Sequence, residues 1–316
     1  MLQRDDSAKH ALERLQAPLT QYSLVRTVNI NGENFDIGSD WHFPIELELA
    51  EAAAKRISQA KGSDILFCGG DLNLTDKGQD SSHWVSSFLH EVSKSYAVVV
   101  FVPGNHDLRG RDNPFQSFEL PPSVVMPNQF TPQVINTESN RLLVGNVFYD
   151  LKFIDPAALD LTPEQLREFY KTVPDGKFLL NGDLSTFPEM TDIVARKLDE
   201  SIDILVTHAL PHPSLVTFRV TNKDDRHFAL ERELDIPFIC DPEDDQVRAH
   251  KRGMTAEQFR TRWNLKSFFM GSDLLSHPDA QIKDGLHCVY GHNHRGDKKE
   301  ITVRGRRVTL LTHQPQ

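Results

Sequence analysis

Asp40 and His42 stand two positions apart, just after a run, ENFDIGS, that reads as a strand. On an extended chain residues i and i+2 share a face, so a carboxylate and an imidazole would lie side by side while Trp41 points into the protein. That pair of donors suits a divalent metal. An acid–imidazole pair on the surface of a strand end has the same spacing, so the rest of the chain has to decide. Other apolar runs also end in polar residues of this kind, namely Gly70-Asp71, Gly104-Asn105-His106-Asp107, His208 and Gly291-His292-x-His294. With Asp40-x-His42 they make five polar endings in order over about 250 residues, more than chance supplies. His292 and His294 repeat the period-two device of Asp40 and His42.

The elements that would position these residues alternate. FDIGSDWH is followed by the alanine-rich PIELELAEAAAKRISQAKG, a predicted helix with Pro44 in its first turn. SDILFCGGDLN precedes a helix near SSHWVSSFLHEVSK, and AVVVFVPGNHD, a strand near RLLVGNVFYDL, a helix near TPEQLREFY and KFLLNGD come next. A helix near MTDIVARKLDE, the run IDILVTH, GLHCVYGHNH and a hairpin-like KEITVRGRRVTLLTH complete the series. Strands alternating with helices predict an α/β protein, and near-continuous apolar runs such as AVVVF suit buried parallel strands, whose functional groups gather beyond the strand ends. Two stretches break the rhythm. Residues 108–133 carry five prolines and read as a long loop, and residues 209–285 form an insertion in which Thr255 and Gln258 make a capping box ahead of a helix.

The composition narrows the function classes. A chain of 316 residues is long enough for a substantial core, and 39% hydrophobic with 25% charged residues is ordinary for a globular protein. No apolar run approaches the ~20 residues of a membrane span. The start, MLQRDDSAKHALERLQ, lacks the apolar centre of a signal peptide and reads as a short polar helix. Cys68, Cys240 and Cys288 are far apart and odd in number, which argues against a disulfide framework or thiolate metal site and predicts a cytoplasmic protein. The net charge of −10 (35 − 45) argues against an extended nucleic-acid surface or an anionic membrane, though not against a local phosphorylated ligand.

The five endings SDWH, GGDL, GNHD, His208 and GHNH, in this order, resemble the calcineurin-like metallophosphoesterases across nearly the whole chain. The resemblance implies a single domain over 1–316, a four-layer αββα sandwich with a dinuclear metal centre at the strand ends. By that analogy Asp40, His42, Asp71 and His294 hold one ion, and Asp71, Asn105, His208 and His292 the other. Oxygen and nitrogen ligands without thiolate suit Mn, Fe, Zn, Co or Ni without choosing among them, and two Mn ions are the expected cofactors. Asp71, set after Gly69-Gly70 where the chain can turn tightly, is the expected bridge. Ions about 3.5–4 Å apart clamp a phosphoryl group, activate a bridging water and steady the leaving oxygen. His106 is implied as a non-ligand that meets the phosphoryl group or protonates the leaving oxygen. Its orienting partner is open between Asp76 and Asp107, and Asp107 reads equally as a cap of the next segment.

Several residues compete. FLLNGDLS with Asp183 mimics LFCGGDLN with Asp71, but it follows GNHD where the resemblance wants the bridging acid before it. His208 is preferred to His212 because it directly ends IDILVT. His83, His90, His277, His287 and His313 have no partner at metal-site spacing and read as structural or solvated; Arg109 and Arg111 read as solvated loop charges that lie near enough to GNHD to reach a phosphate. One departure bears on substrate. Phosphoprotein phosphatases of this superfamily carry GDxxDR, and here Leu74 and Thr75 replace the second Asp and the Arg. The reading is therefore a phosphodiesterase acting on a phosphorylated small molecule, nucleotide or oligonucleotide, with the proline-rich loop and the insertion shaping its pocket. A phosphomonoesterase, a nuclease of DNA or RNA ends, and a non-catalytic scaffold of the same fold are the rivals. Assays on mono- and diesters, loss of oligomers, and missing ligands would respectively reveal them.

Overall fold

The computed structural model describes residues 9, 11–73, 81–104, 107, 119–127, 131–146, 186–212, 214–219, 239–240, 242–262, 265–291 and 299–313. The helix read at 162–170 and the strand-like run at 177–183 lie outside them.

The chain begins its first sheet as a hairpin. β1 (Arg26–Ile30) and β2 (Glu33–Gly38) pair antiparallel around Asn31-Gly32, whose φ values of 51° and 87° are those of the tight turn that an Asn-Gly pair favours. β3 (Ile65–Cys68), β4 (Val98–Phe101) and β5 (Val124–Val125) add in parallel, giving the order β1-β2-β3-β4-β5. β5 is a short edge strand inside the stretch read as loop. The second sheet contains β6 (Gln133–Asn136), β7 (Arg141–Val144), β8 (Ile204–Val206), β12 (Leu286–Val289), β13 (Lys299–Val303) and β14 (Arg306–Leu311), in the order β13-β14-β12-β8-β7-β6. Its four central strands run parallel and its two edge pairs antiparallel.

The strand pleat explains the layering. Phe35, Ile37, Phe67, Val100 and Val102 of the first sheet meet Leu142, Val144, Ile204, Val206, Val289 and Leu311 of the second in one buried cluster. Alternate residues face outward: Leu66, Cys68, Val99 and Phe101 pack with the helices α1 (Leu47–Ala60) and α2 (Ser82–Ser93), and Leu143, Leu205 and Cys288 pack with α3 (Thr186–Lys197). The result is the expected α-β-β-α order. Phe35 and Phe67 stack at 4.8 Å between centroids and are fully buried. Each such buried side chain contributes roughly 2–3 kcal/mol to holding the two sheets together.

The insertion builds a small antiparallel sheet of its own, β9 (Ser214–Arg219), β10 (Ile239–Cys240) and β11 (Leu265–Met270) in the order β10-β9-β11, with helices α4 (Pro242–Lys251) and α5 (Ala256–Arg262). The capping box is reciprocal: Thr255 N donates to Gln258 Oε1 (2.9 Å) and Gln258 N to Thr255 Oγ1 (3.1 Å). The end of the insertion rejoins the main core through Leu274, Leu275, Ala280 and Ile282. Two expectations change. Pro44 is not in the first turn of α1, which starts at Leu47, because Phe43 is still tied to the neighbouring loop through Leu72 O (2.8 Å). The polar N-terminal helix, present over 11–16, is amphipathic, with Ala11 and Leu15 buried.

Candidate metal centre

β2, β3 and β4 are parallel and their last residues are in register, Gly38 beside Cys68 and Cys68 beside Phe101. The residues that follow are thereby delivered to one edge of the sheet. There Ser39–Phe43 runs along Gly70–Asn73: Asp40 N donates to Gly70 O (2.9 Å), His42 N to Asp71 O (3.1 Å) and Phe43 N to Leu72 O (2.8 Å).

This run is not the extended strand expected from the two-residue spacing. β2 ends at Gly38, and Asp40 and His42 both have positive φ, 54° and 50°. Asp71 has φ 53° and follows Gly70 at 87°. Left-handed backbone costs a non-glycine residue roughly 1–2 kcal/mol, and such strain persists where surrounding structure over-determines it. Trp41, between the two, does point inward as expected: its Nε1 donates to Leu24 O (3.1 Å) and its ring meets Phe88 edge-on at 5.3 Å. The twist brings Asp40, His42 and Asp71 together, with one ligand atom of each inside 4.8 Å of the others.

His208 enters from the second sheet, two residues beyond β8. Fully buried, it has its Nδ1 on Gly69 O and its Nε2 3.5 Å from Asp71 Oδ2. A carbonyl can only accept, so Nδ1 carries the proton and Nε2 is the atom turned to the carboxylate. Without a cation, two lone pairs would face each other there in a desolvated pocket. Burial alone would lower the His208 imidazole, but the Asp71 and Asp40 carboxylates, the Gly69 carbonyl and Asp107 outweigh it and hold it above its ordinary value. The pocket thus favours positive charge, supplied by a proton or by a metal ion. Asp40 and Asp71 are themselves buried, and their oxygens with the imidazole nitrogens are a donor set that fits a divalent transition metal.

Two glycines show how tight the edge is. A Cβ on Gly104 would collide with the Asp71 carboxylate and sit 2.6 Å from His208 Cε1. A Cβ on Gly291 would be 2.8 Å from both Asp40 Oδ2 and Gly69 O. The residues immediately before Asn105 and His292 therefore lie against the candidate ligands.

Asp107 is 1% exposed, and its carboxylate accepts from Asp71 N (2.7 Å), Gly104 N (2.9 Å) and Leu72 N (3.2 Å). Among the described residues it caps its own turn and the β3 loop, while His106 and the next segment lie outside them. Burial first, and the Asp71 carboxylate second, push its carboxyl up well above the usual range.

Asp40, His42, Asp71 and His208 are thus gathered, with Asp107 beneath them. Asn105, His106, His292 and His294 lie outside the described residues, as do Leu74, Thr75, Asp76, Arg109, Arg111 and Asp183. His212, the rival of His208, is half-buried and lowered by burial and by Lys299. His277 pairs with Asp192 Oδ1 (3.0 Å), His313 lies 3.2 Å from Ser23 O, and His83 and His90 are exposed on α2. One residue at the edge was passed over in the sequence. Asn146, 1% exposed, follows β7 as His208 follows β8, and RLLVGN ends in Gly and a polar residue like the other runs.

The calcineurin-like phosphoesterase family model matches residues 34–296 of this sequence. No curated protein matches it. Among solved structures, the crystal structure of a hypothetical protein from Thermus thermophilus is 12% identical, with a TM-score of 0.35 over 88% of this chain and 74% of that one.

Proposed function

The chain belongs to the calcineurin-like phosphoesterase family and is a metal-dependent phosphoester hydrolase; from that premise we propose that it is a cytoplasmic phosphodiesterase with a dinuclear centre. Asp40, His42, Asp71 and His294 are proposed for one ion and Asp71, Asn105, His208 and His292 for the other, with Mn the preferred metal. The observation that carries this reading is the convergence of Asp40, His42 and Asp71 within 4.8 Å, with His208 Nε2 3.5 Å from Asp71. When bound, the metals supply Lewis-acid charge for the phosphoryl group and lower the pKa of water.

The chain's own groups do the rest. The Gly69 carbonyl selects the His208 tautomer, and Asp107 knits the β3 and β4 loops so that Asp71 and the start of GNHD keep their spacing. His106 donates to a phosphoryl oxygen or protonates the leaving oxygen. The diester preference rests on Leu74 and Thr75, since a dianionic monoester gains more from a fixed cation than a monoanionic diester does. The two organic arms of a diester also need walls, a role suited to the 108–133 segment and the insertion. The buried free thiols Cys68 and Cys288 support a reducing compartment. Among the described residues no helix is long and apolar enough to cross a membrane.

The test is kcat/KM for bis-p-nitrophenyl phosphate and p-nitrophenyl phosphate at one pH after Mn²⁺ loading, with metal content measured alongside. The expected result is about two ions per chain, loss of activity with chelator, and preference for the diester. A tenfold or greater preference for the monoester, about 1.4 kcal/mol of transition-state discrimination, would replace this reading with a phosphomonoesterase.

A further inference from the structure

Asn146 carries an inference beyond the family's ligand set. On β7 the pleat alternates cleanly. Leu142 and Val144 lie in the inter-sheet core, and Leu143 lies in the outer cluster that contains Val194. A Cβ on Gly145 would meet Val194 Cγ2 at 2.8 Å, so that position faces outward as well. Asn146 therefore returns to the inner face. Val144 is in register with Val206, and Gly145 N donates to Val206 O (3.0 Å). Continuing that register by two residues beyond each strand sets Asn146 level with His208, whose Nε2 faces Asp71.

In this place the Asn146 side chain is buried, and neither Nδ2 nor Oδ1 has a hydrogen-bond partner among the described residues. A primary amide so placed leaves two donors and an acceptor desolvated without compensation, which native interiors rarely tolerate away from a ligand. The asparagine just before β7 shows what a structural asparagine looks like: Asn140 donates to Glu33 Oε2 (2.8 Å) and Ile30 O (3.3 Å) and accepts from Asn31 Nδ2 (2.9 Å).

We propose that Asn146 is a substrate-binding residue of this centre, donating through Nδ2 to a non-bridging oxygen of the bound phosphoester. The proposal rests on the phosphoesterase reading and deepens it. A neutral donor is the right chemistry for a monoanionic diester, because it stabilises the oxygen without a second positive charge where Thr75 stands in place of an arginine.

The experiment uses the Mn²⁺-loaded full chain, wild type beside Asn146→Leu and Asn146→Asp. Metal content, thermal midpoint, kcat and KM for bis-p-nitrophenyl phosphate, and inhibition by inorganic phosphate are measured. Leu has the same branched four-atom side-chain skeleton without polar atoms, so the expected thermal midpoint is equal or higher with metal content unchanged. kcat/KM should fall about 10- to 100-fold, the amount one hydrogen bond to a charged group contributes, and the phosphate inhibition constant should rise by a similar factor. Asp, which repels the phosphate, should lose more than Leu; it also keeps the test alive if Leu does not fold. An active Asn146→Leu enzyme with kcat/KM and phosphate inhibition within about twofold of wild type overturns the proposal and leaves the phosphoesterase reading standing. Loss of metal in Asn146→Leu but not in Asn146→Asp overturns it too, by making Asn146 a ligand, and loss in both overturns it by making Asn146 structural. A wild type that hydrolyses no phosphoester overturns the underlying reading and the proposal with it.

Discussion

At the Arg141 end of β7, the hairpin turn of the first sheet and the β6–β7 turn of the second are locked together by saturated polar groups. Glu33 accepts from Thr137 Oγ1 (2.5 Å), Asn140 Nδ2 (2.8 Å), Ser139 N (3.3 Å) and Glu138 N (3.4 Å), and Asn140 meets Asn31 and Ile30 besides. At the Val144 end the same two sheets bring together Asp40, His42, Asp71 and His208, with carboxylates crowded on one another and three candidate ligands in left-handed backbone, and Asn146 follows β7 there. The two ends differ in what their polar groups are for. One completes its hydrogen bonds internally and stabilises the sandwich; the other keeps strain, like charge and an amide with no partner among the described residues, which a cation and an anionic ligand would complete.

If that contrast is right, changes at the two ends must separate activity from stability. The largest separation is expected for Asp71→Asn. Metal content should drop and kcat/KM fall by about 10³-fold or more, because in the proposed dinuclear centre the Asp71 carboxylate would serve both ions and an amide bridges poorly. The metal-free variant should melt no lower than metal-free wild type, since a buried like-charge contact with Asp107 has been relieved. A metal-free Asp71→Asn that melts much lower than wild type would mean that Asp71 is structural and would erase the contrast.

Gly104→Ala comes next. The added methyl must displace the Asp71 carboxylate or the His208 ring, and a misplacement of about 1 Å typically costs on the order of 10²-fold in turnover. Turnover and metal binding of this variant should both be measured; an alanine enzyme of normal activity would show that the edge is looser than its packing suggests.

The smallest effect belongs to the other end. Burial alone would raise the Glu33 carboxyl, but the hydrogen bonds from Thr137, Asn140, Ser139 and Glu138 hold it below its ordinary value. A depressed carboxyl contributes stability that is present above its unfolded pKa of about 4.3 and disappears as pH falls through the folded value. Glu33→Gln should therefore cost no more than about 1 kcal/mol at pH 7, since solvent screens this partly exposed group, and the difference from wild type should close below about pH 4. Thermal melts across pH 3–7 read this directly, with metal content unchanged. A change in metal content on Glu33→Gln would break the separation between the two ends.

Much of this was legible along the chain because it is local. The apolar runs announce buried strands, Thr255 and Gln258 announce their capping box, and Trp41 is inward because an indole between two polar residues has nowhere better to go. The extended Asp40–His42 pair failed for a non-local reason. The Asp40 amide bonds to Gly70 O and the His42 amide to Asp71 O, residues about thirty positions away, and satisfying both forces two left-handed turns on a stretch whose sequence reads as strand. Asp107 was likewise ambiguous, since the amides that claim its carboxylate include those of Asp71 and Leu72, thirty-six and thirty-five positions earlier.

By itself the sequence determined the family and the order in which apolar runs carry their polar endings, because donor chemistry and hydrophobic period are properties of side chains and short segments. Only the tertiary structure decided that Asp71 faces His208, that Gly104 and Gly291 leave no room for a side chain, and that among the described residues Asn140 is satisfied while Asn146 is not. Those facts depend on which strands become neighbours and in what register. Register is set by packing two sheets face to face over a shared apolar core, and no local segment of the chain contains that information.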